Sequence, residues 1–413
     1  MKNIDSTLEK LYGSKAVPMQ RERYEKAEKA FKELFGDTEP MIFSASGRTE
    51  ISGNHTDHNR GKVLAAAVSL DVIAFAVPTD DGVITVKSEG FPQDTVDISD
   101  LSVREADKNT SAALIRGVAD GLKRDGFKIG GFKAYTTSNV LKGSGISSSA
   151  AFEVLIGTVL SHMYNDGAVS PVKIAQIAQY AENVHFGKPS GLMDQMASSV
   201  GGFIEIDFAD PANPVINSID YDFAKSGHNL CIVDTKGSHA DLTPEYAAIP
   251  AEMKSVAEFF GKSELRDITR EQLLNSIAEV RKVCGDRAVS RAFHFFDENE
   301  RVDKAAAALG KGDFEAFLRE ISASGNSSFK YLQNIFAVTN TREQGMVLGL
   351  YTAERVLNGR GACRVHGGGF AGTIQAFVPD DLLDKFTSDM EQLFGEGSCY
   401  HLYIRPLGGT RIC

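Results

Sequence analysis

Basic charge is scarce: 44 lysines and arginines face 55 aspartates and glutamates, a formal net charge of −11 at pH 7. That balance lacks the electrostatic footprint of a general nucleic-acid binder and leaves room only for local basic pockets that hold a small anion. Cysteine is sparse as well. The five residues, Cys231, Cys284, Cys363, Cys399 and Cys413, show no CxxC spacing, which argues against a disulfide framework and for reduced thiols in a cytoplasmic protein. Long apolar runs are missing. Met1 to Gly13 is charged and polar, without the apolar core of a secretory signal. The most apolar stretch, Val63 to Val77, is interrupted by Ser69 and Asp71 and is too short to span a bilayer. No membrane association is expected.

Familiar nucleotide motifs are absent too. The chain has a Gly-Lys-Ser at Gly261-Lys262-Ser263, but Val256 stands where the leading glycine of a Walker loop belongs. Neither the His-Arg-Asp nor the Asp-Phe-Gly of protein kinases occurs. A dinucleotide GxGxxG also fails, because Ser148 occupies its last glycine position.

What is there is an ordinary globular composition, 42% apolar and 24% charged over 413 residues, long enough for two domains. The spacing of Tyr24, Ala27, Phe31 and Leu34 predicts an amphipathic helix over Val17 to Phe35, stopped by Gly36. Asp80-Asp81-Gly82 between Val72–Val77 and Val83–Val86 predicts a hairpin. Helices are expected over Thr110–Leu122, Ala150–Met163, Glu245–Phe260, Glu271–Val283 and Thr339–Leu357, with another opened by Ser170-Pro171. Strands are expected at Phe132–Thr137, Leu230–Asp234 and Thr373–Val378. Strands and helices without regular alternation favour an α+β fold over a doubly wound sheet. The turn-rich Asp210-Pro211-Ala212-Asn213-Pro214 is the expected junction, dividing the chain into residues 1–209 and 210–413.

Four segments could carry chemistry. In Leu141 to Ala150, Gly143 and Gly145 permit tight turning, and Ser147, Ser148 and Ser149 sit where a helix begins. Free N–H groups at such an N-terminus suit phosphates; a plain serine cap is the bland alternative. Gly47 to Gly61 crowds Arg48, Glu50, Asn54, His55, Asp57 and His58 into one stretch. Closely packed carboxylate, amide and imidazole groups bind polyols, whereas the histidine spacing does not fit a zinc site. In Gly187 to Gln195, Ser190 could cap a short helix with Asp194 in its first turn, where an ionised carboxylate could orient or deprotonate a hydroxyl. Val365 to Thr373 contains a glycine run that allows close backbone approach.

In this order, the segments resemble the galactokinase branch of the GHMP small-molecule kinases. Arg48 to Gly61 is similar to the GRxNxIGEHxDYNxG signature, Gly143 to Ala150 to the GxGLSSSA phosphate loop, Gly191–Gln195 to G-[IL]-M-D-Q, and Gly367–Gly372 to GGGFGG. The resemblance implies two α+β domains with the site in the cleft between them and the last strand returning to the first domain. It implies ATP- and Mg²⁺-dependent phosphorylation of a sugar's anomeric 1-hydroxyl, with galactose the leading substrate. Asp194 would be the catalytic aspartate and Arg48 its partner. Asn54, His55, Asp57, Gly191 and Tyr246 would line the sugar pocket. The loop formed by Gly143, Ser144, Gly145, Ile146, Ser147, Ser148 and Ser149 would wrap the phosphates, and Ser148 and Glu182 would hold Mg²⁺. A monomer with sugar and ATP as its partners is expected.

Departures from the pattern concern the sugar. Asn54 replaces the family's glutamate while Glu50 replaces its asparagine, and His58, Leu141 and His366 replace Tyr, Pro and Thr. Losing a carboxylate near the 6-position lowers the repulsion a 6-carboxylate sugar would meet, so galacturonate is an alternative substrate. A non-catalytic sugar sensor is the alternative from another class; the intact Ser147–Ala150 run and Asp194 speak against it. A mevalonate- or homoserine-type kinase fits poorly with His55-Thr56-Asp57 and Tyr246.

Overall fold

The computed structural model describes residues 4–140, 147–188, 190–237 and 242–413. Its first, eight-stranded sheet runs β12-β1-β2-β5-β3-β4, with β6 on β2 and β7 on β6. These strands are β1 (Met41–Ser52), β2 (Lys62–Thr79), β3 (Val83–Ser88), β4 (Gln93–Asp97), β5 (Gly131–Ser138), β6 (Phe203–Asp207), β7 (Val215–Ile219) and β12 (Thr410–Arg411). Helices α1 (Asp5–Tyr12) and α2 (Val17–Phe35) belong to the same part of the chain, as do α3 (Ser111–Arg124), α4 (Ser148–Tyr164), α5 (Pro171–Tyr180) and α6 (Met193–Val200). The apolar run noted in the sequence is the central strand β2, which pairs with β1, β5 and β6. Val63 to Val68 are buried on both of its faces, as expected of a strand covered on two sides.

The second sheet has the order β11-β8-β10-β9. It comprises β8 (His228–Asp234), β9 (Ala362–His366), β10 (Thr373–Pro379) and β11 (Cys399–Leu402). Around it lie α7 (Thr243–Phe259), α8 (Arg270–Asn275), α9 (Ile277–Cys284), α10 (Asp286–Gly310), α11 (Phe314–Ser327), α12 (Gly345–Leu357) and α13 (Leu383–Phe394). Met346, Ala353, Phe386 and Met390 of α12 and α13 pack on Cys231, Val233, Ile374 and Ala376 of β8 and β10. The chain then returns to the first sheet, where Thr410 and Arg411 of β12 pair with Ser44 and Phe43 of β1.

Several sequence expectations are corrected. β2 and β3 do not pair as a hairpin, because β5 lies between them, antiparallel to β2 and parallel to β3. Gly131 makes that wedge possible: a Cβ there would stand 2.6 Å from Thr79 Oγ1 and 2.8 Å from the Val83 backbone. Asp210–Pro214 is the turn of the β6–β7 hairpin, not the passage between sheets. The helix expected over Glu271–Val283 breaks at Ser276, whose φ of −120° leaves the helical region. Helix α12 starts at Gly345, since Asn340 Oδ1 accepts from the N–H groups of Arg342 and Glu343 and holds a turn before it.

Candidate active site

Strand β1 delivers Arg48 just past a register irregularity between Ser46 and Gly47, a device that re-aims side chains beside functional sites. Asp194 comes from the first turn of α6. Arg48 Nε donates to Asp194 Oδ1 at 2.6 Å and Nη2 donates to Oδ2 at 2.7 Å, a two-pronged charged contact. Ser147, in the left-handed region at φ 54° immediately before α4, accepts from Arg48 Nη2 at 2.9 Å and donates to Asp194 Oδ2. Burial would raise the Asp194 carboxyl, but the charge and hydrogen bonds of Arg48, with help from Ser147, hold it below its ordinary 3.8. Ser190 does not cap α6 as expected. Gly191 and Leu192 intervene, and the Ser190 hydroxyl is taken by Asn183 Oδ1 at 3.2 Å.

On one side of this pair lies a cavity of about 150 Å³ lined by Arg48, Glu50, Asn54, His55, Asp57, His58, Met193 and the Gly367–Gly368 backbone, among others. Gly191 borders Asp57: a Cβ on it would lie 2.7 Å from Asp57 Oδ2. Tyr246 is not among the lining residues; its hydroxyl donates to Gly369 O at 2.9 Å, behind the glycine turn. The turn is pinned from several directions. Asn54 Nδ2 donates to Gly367 O at 2.8 Å, and His55 Nε2 meets Gly368 O at 2.9 Å. Gly369, at φ +84°, would place a Cβ 2.1 Å from Asn334 O, so no larger residue fits. Burial first, then His58, push His55 down to about 4, leaving it neutral at pH 7.

Past Ser147, a larger cavity of about 730 Å³ is walled by Ser148, Ser149, Thr136 and Ser138 with the rings of Phe91, Phe152 and Phe186. Gly143, Ser144, Gly145 and Ile146 of the expected phosphate loop lie outside the described residues. Glu182 is 2% exposed. It takes its hydroxyl contact from Ser149, at 2.9 Å, rather than from Ser148, together with Lys188 Nζ at 3.0 Å and Gln195 Nε2 at 2.7 Å. Glu153 lies beneath, pushed well up by burial and by Glu182, and its Oε1 has no hydrogen-bond partner.

Sequence reasoning missed the partners that hold this wall. Arg364 of β9 donates Nη2–H to Glu50 Oε1 at 2.7 Å, and Asn54 Nδ2 donates to the same oxygen at 3.0 Å. Asn334 Nδ2 donates to Asn54 Oδ1 at 2.8 Å, and Glu298 Oε1 accepts from Gly53 N at 2.9 Å. His366, noted only as a departure, bridges Thr49 and Thr373 at 3.0 Å each and is held neutral mainly by burial. Thr49 Oγ1 also accepts from Gln375 Nε2 at 2.6 Å. No short-range spacing signals these contacts.

A helix N-terminus flanked by serines and a carboxylate–guanidinium pair, with a small cavity at Arg48 and a larger one at Ser148 and Ser149, are what a small-molecule kinase of the GHMP type requires. The GHMP kinases N terminal domain matches residues 113–202, and the galactokinase galactose-binding signature matches residues 29–78. A galactokinase from Streptomyces coelicolor is 29% identical over 365 residues, 88% of this chain and 91% of that protein. The structure of Lactococcus lactis galactokinase complexed with galactose superposes with a TM-score of 0.77 at 25% identity, covering 94% of this chain and 99% of that one. Methanococcus jannaschii mevalonate kinase shares the fold at 13% identity, with a TM-score of 0.63 over 89% of this chain and 99% of its own. The matches are to galactokinases within the GHMP class, and the chain is a sugar kinase that uses ATP. Among the described residues, no helix is long and apolar enough to cross a membrane.

Proposed function

We propose that this chain transfers the γ-phosphoryl group of ATP to the anomeric 1-hydroxyl of galactose, giving galactose 1-phosphate and ADP. The observation that carries the reading is the Arg48–Asp194 pair. Arg48 lines a cavity of sugar size, and Ser147, bonded to both members of the pair, directly precedes Ser148 and Ser149, which line a larger cavity of nucleotide size. The sugar's C1 oxygen bonds to the γ-phosphorus as the bond to the β-bridging oxygen breaks, and the hydroxyl proton passes to Asp194. A carboxylate held below 3.8 is a weak base. Its main work is therefore to orient the hydroxyl and take the proton late, which suits a loose transition state in which positioning supplies most of the rate. Arg48 keeps Asp194 ionised and offsets negative charge on the transferring group.

Ser148, Ser149 and Glu182 offer hydroxyl and carboxylate oxygens, a donor set suited to Mg²⁺. We assign the metal to Ser148 and Glu182, where bound Mg²⁺ would neutralise phosphate charge. Asp57 and His55 would receive the sugar hydroxyls, with Asn54, its amide engaged by Glu50, Gly367 and Asn334, forming the pocket wall, Gly191 bordering Asp57 and Tyr246 buttressing the glycine turn.

The Asn54 and Glu50 exchange favours galactose over galacturonate. The carboxylate that Asn54 removes reappears on Glu50, which lines the same cavity and holds the Asn54 amide. Arg48 is the lining cation, and it is committed to Asp194. With Glu50 already paired to Arg364, a sugar carboxylate would face the Asp57 carboxylate with the His55 and His58 imidazoles beside it and no uncommitted arginine or lysine among the described lining residues, a costly arrangement. An ADP-release assay over galactose, galacturonate, N-acetylgalactosamine and arabinose tests this. Galacturonate exceeding galactose by more than about tenfold in kcat/KM, roughly 1.4 kcal/mol, sinks the substrate claim.

The sparse, unpaired cysteines support a cytoplasmic location, and the chain is taken as a monomer. Its two regions would divide after β7, near residue 220, because the turn at residues 210–214 joins two strands of one sheet.

A further inference from the structure

Away from the catalytic cleft, the edge of the second sheet gathers a different chemistry. β11 is one of its two edge strands, and β8 is its antiparallel neighbour. Their register sets His401 opposite Cys231 and Cys399 opposite Val233. Cys399 and His401 are two apart on one strand, so both point to the face Cys231 occupies. The two sulfurs and an imidazole nitrogen all lie within 4.8 Å of one another. Around a tetrahedral zinc with Zn–S of about 2.3 Å, two sulfurs stand about 3.8 Å apart, so only a small closing movement is needed.

A second observation concerns the imidazole. Thr387, on α13, donates its single hydroxyl proton to Leu383 O at 2.9 Å. Its oxygen, 2.7 Å from His401 Nε2, must therefore accept the Nε2–H. In the neutral imidazole that bond leaves the lone pair on Nδ1. Histidines that bind metals are oriented by such a donation from the non-ligating nitrogen. Cys231 and Cys399 are buried while His401 is exposed, which leaves the fourth position of a tetrahedron open to water.

We propose that Cys231, Cys399 and His401 form a site for one borderline-soft divalent cation of the zinc class. Both thiols release their protons to solvent as the cation binds. The site would staple the edge strand β11 to β8 and, through Thr387, to α13. It serves the stability of the second sheet rather than phosphoryl transfer, because the glycine turn of the active site lies at the far side of that sheet, next to β9.

The test is anaerobic titration of the reduced full-length protein with Co²⁺, followed by displacement with Zn²⁺ and metal analysis after dialysis. The expected result is one metal per chain with sulfur-to-cobalt charge-transfer absorption. Cys399→Ser should abolish that absorption, and His401→Ala, at an exposed position that tolerates change, should abolish tight retention. Thr387→Val should weaken affinity about 10- to 100-fold through the lost orientation of the imidazole. Cys363→Ser, on β9, should change nothing. Absence of charge-transfer bands from protein whose thiols titrate as reduced overturns the assignment. So does zinc that survives dialysis equally in the wild type and in folded His401→Ala.

Discussion

Breaking the Glu50–Arg364 ion pair perturbs the wall of the proposed sugar pocket. Arg364 is fully buried and the Glu50 side chain is 6% exposed, with Nη2 2.7 Å from Oε1. The pair joins β1 of the first sheet to β9 of the second. Burial pushes Glu50 above its ordinary 4.5 and Arg364 pulls it back. Removing one partner of a buried pair costs about 3–5 kcal/mol, because the other is left as an uncompensated charge. Glu50 keeps the Asn54 amide at 3.0 Å, so Arg364→Met should fall near the lower end, about 3 kcal/mol. The double variant Glu50→Gln/Arg364→Met removes both charges and should recover at least about 1 kcal/mol of that loss. Urea denaturation of the three proteins, with m unchanged, measures both quantities. Because Glu50 lines the cavity, the single variant should also raise the sugar KM more than it lowers kcat. A cost below about 1 kcal/mol, or a double variant no more stable than the single, refutes the reasoning.

Three further outcomes are expected. Arg48→Met removes the charge that holds Asp194 down, so burial prevails and the acid limb of kcat/KM moves to higher pH; an unchanged pH–rate profile contradicts it. Gly191→Ala places a methyl 2.7 Å from Asp57 Oδ2 and should raise the sugar KM severalfold while the ATP KM stays put, a split read by steady-state kinetics. Asp71, fully buried between Arg23 at 2.6 Å and Arg405 at 3.0 Å, has its carboxyl held below 3.8. Its contribution is present above an unfolded pKa of about 3.9 and is lost as pH falls through the lower folded value. Asp71→Asn should cost about 3–5 kcal/mol at pH 7 and flatten the acid side of the stability curve.

Local signals were readable in the sequence, and remote partnerships were not. Val17–Phe35 folds as the helix its apolar spacing requires. Thr110 and Ser170 cap α3 and α5 as short polar residues before apolar runs do. Arg48, Asn54, His55 and Asp57 could be nominated together because they lie within ten positions of one another. Their supports could not: Arg364 reaches Glu50 across 314 positions and Glu298 reaches Gly53 across 245. Pairing across a sheet is equally silent. The Asp80-Asp81-Gly82 turn has the chemistry of a hairpin, yet β5 enters between its arms, a choice made by tertiary packing that the turn residues do not encode. Ser190 shows the same limit in miniature, since its hydroxyl is claimed by Asn183 from the preceding helical segment.

The most direct test of the central claim is ADP release from MgATP in the presence of galactose, compared between the wild-type chain and Asp194→Ala. The account predicts galactose-dependent turnover with stoichiometric galactose 1-phosphate in the wild type. In the variant it predicts a kcat lower by about 10²–10⁴-fold, with ATP still bound. Wild-type protein that binds galactose and ATP but forms no sugar phosphate, or a variant that keeps most of its turnover, would contradict it.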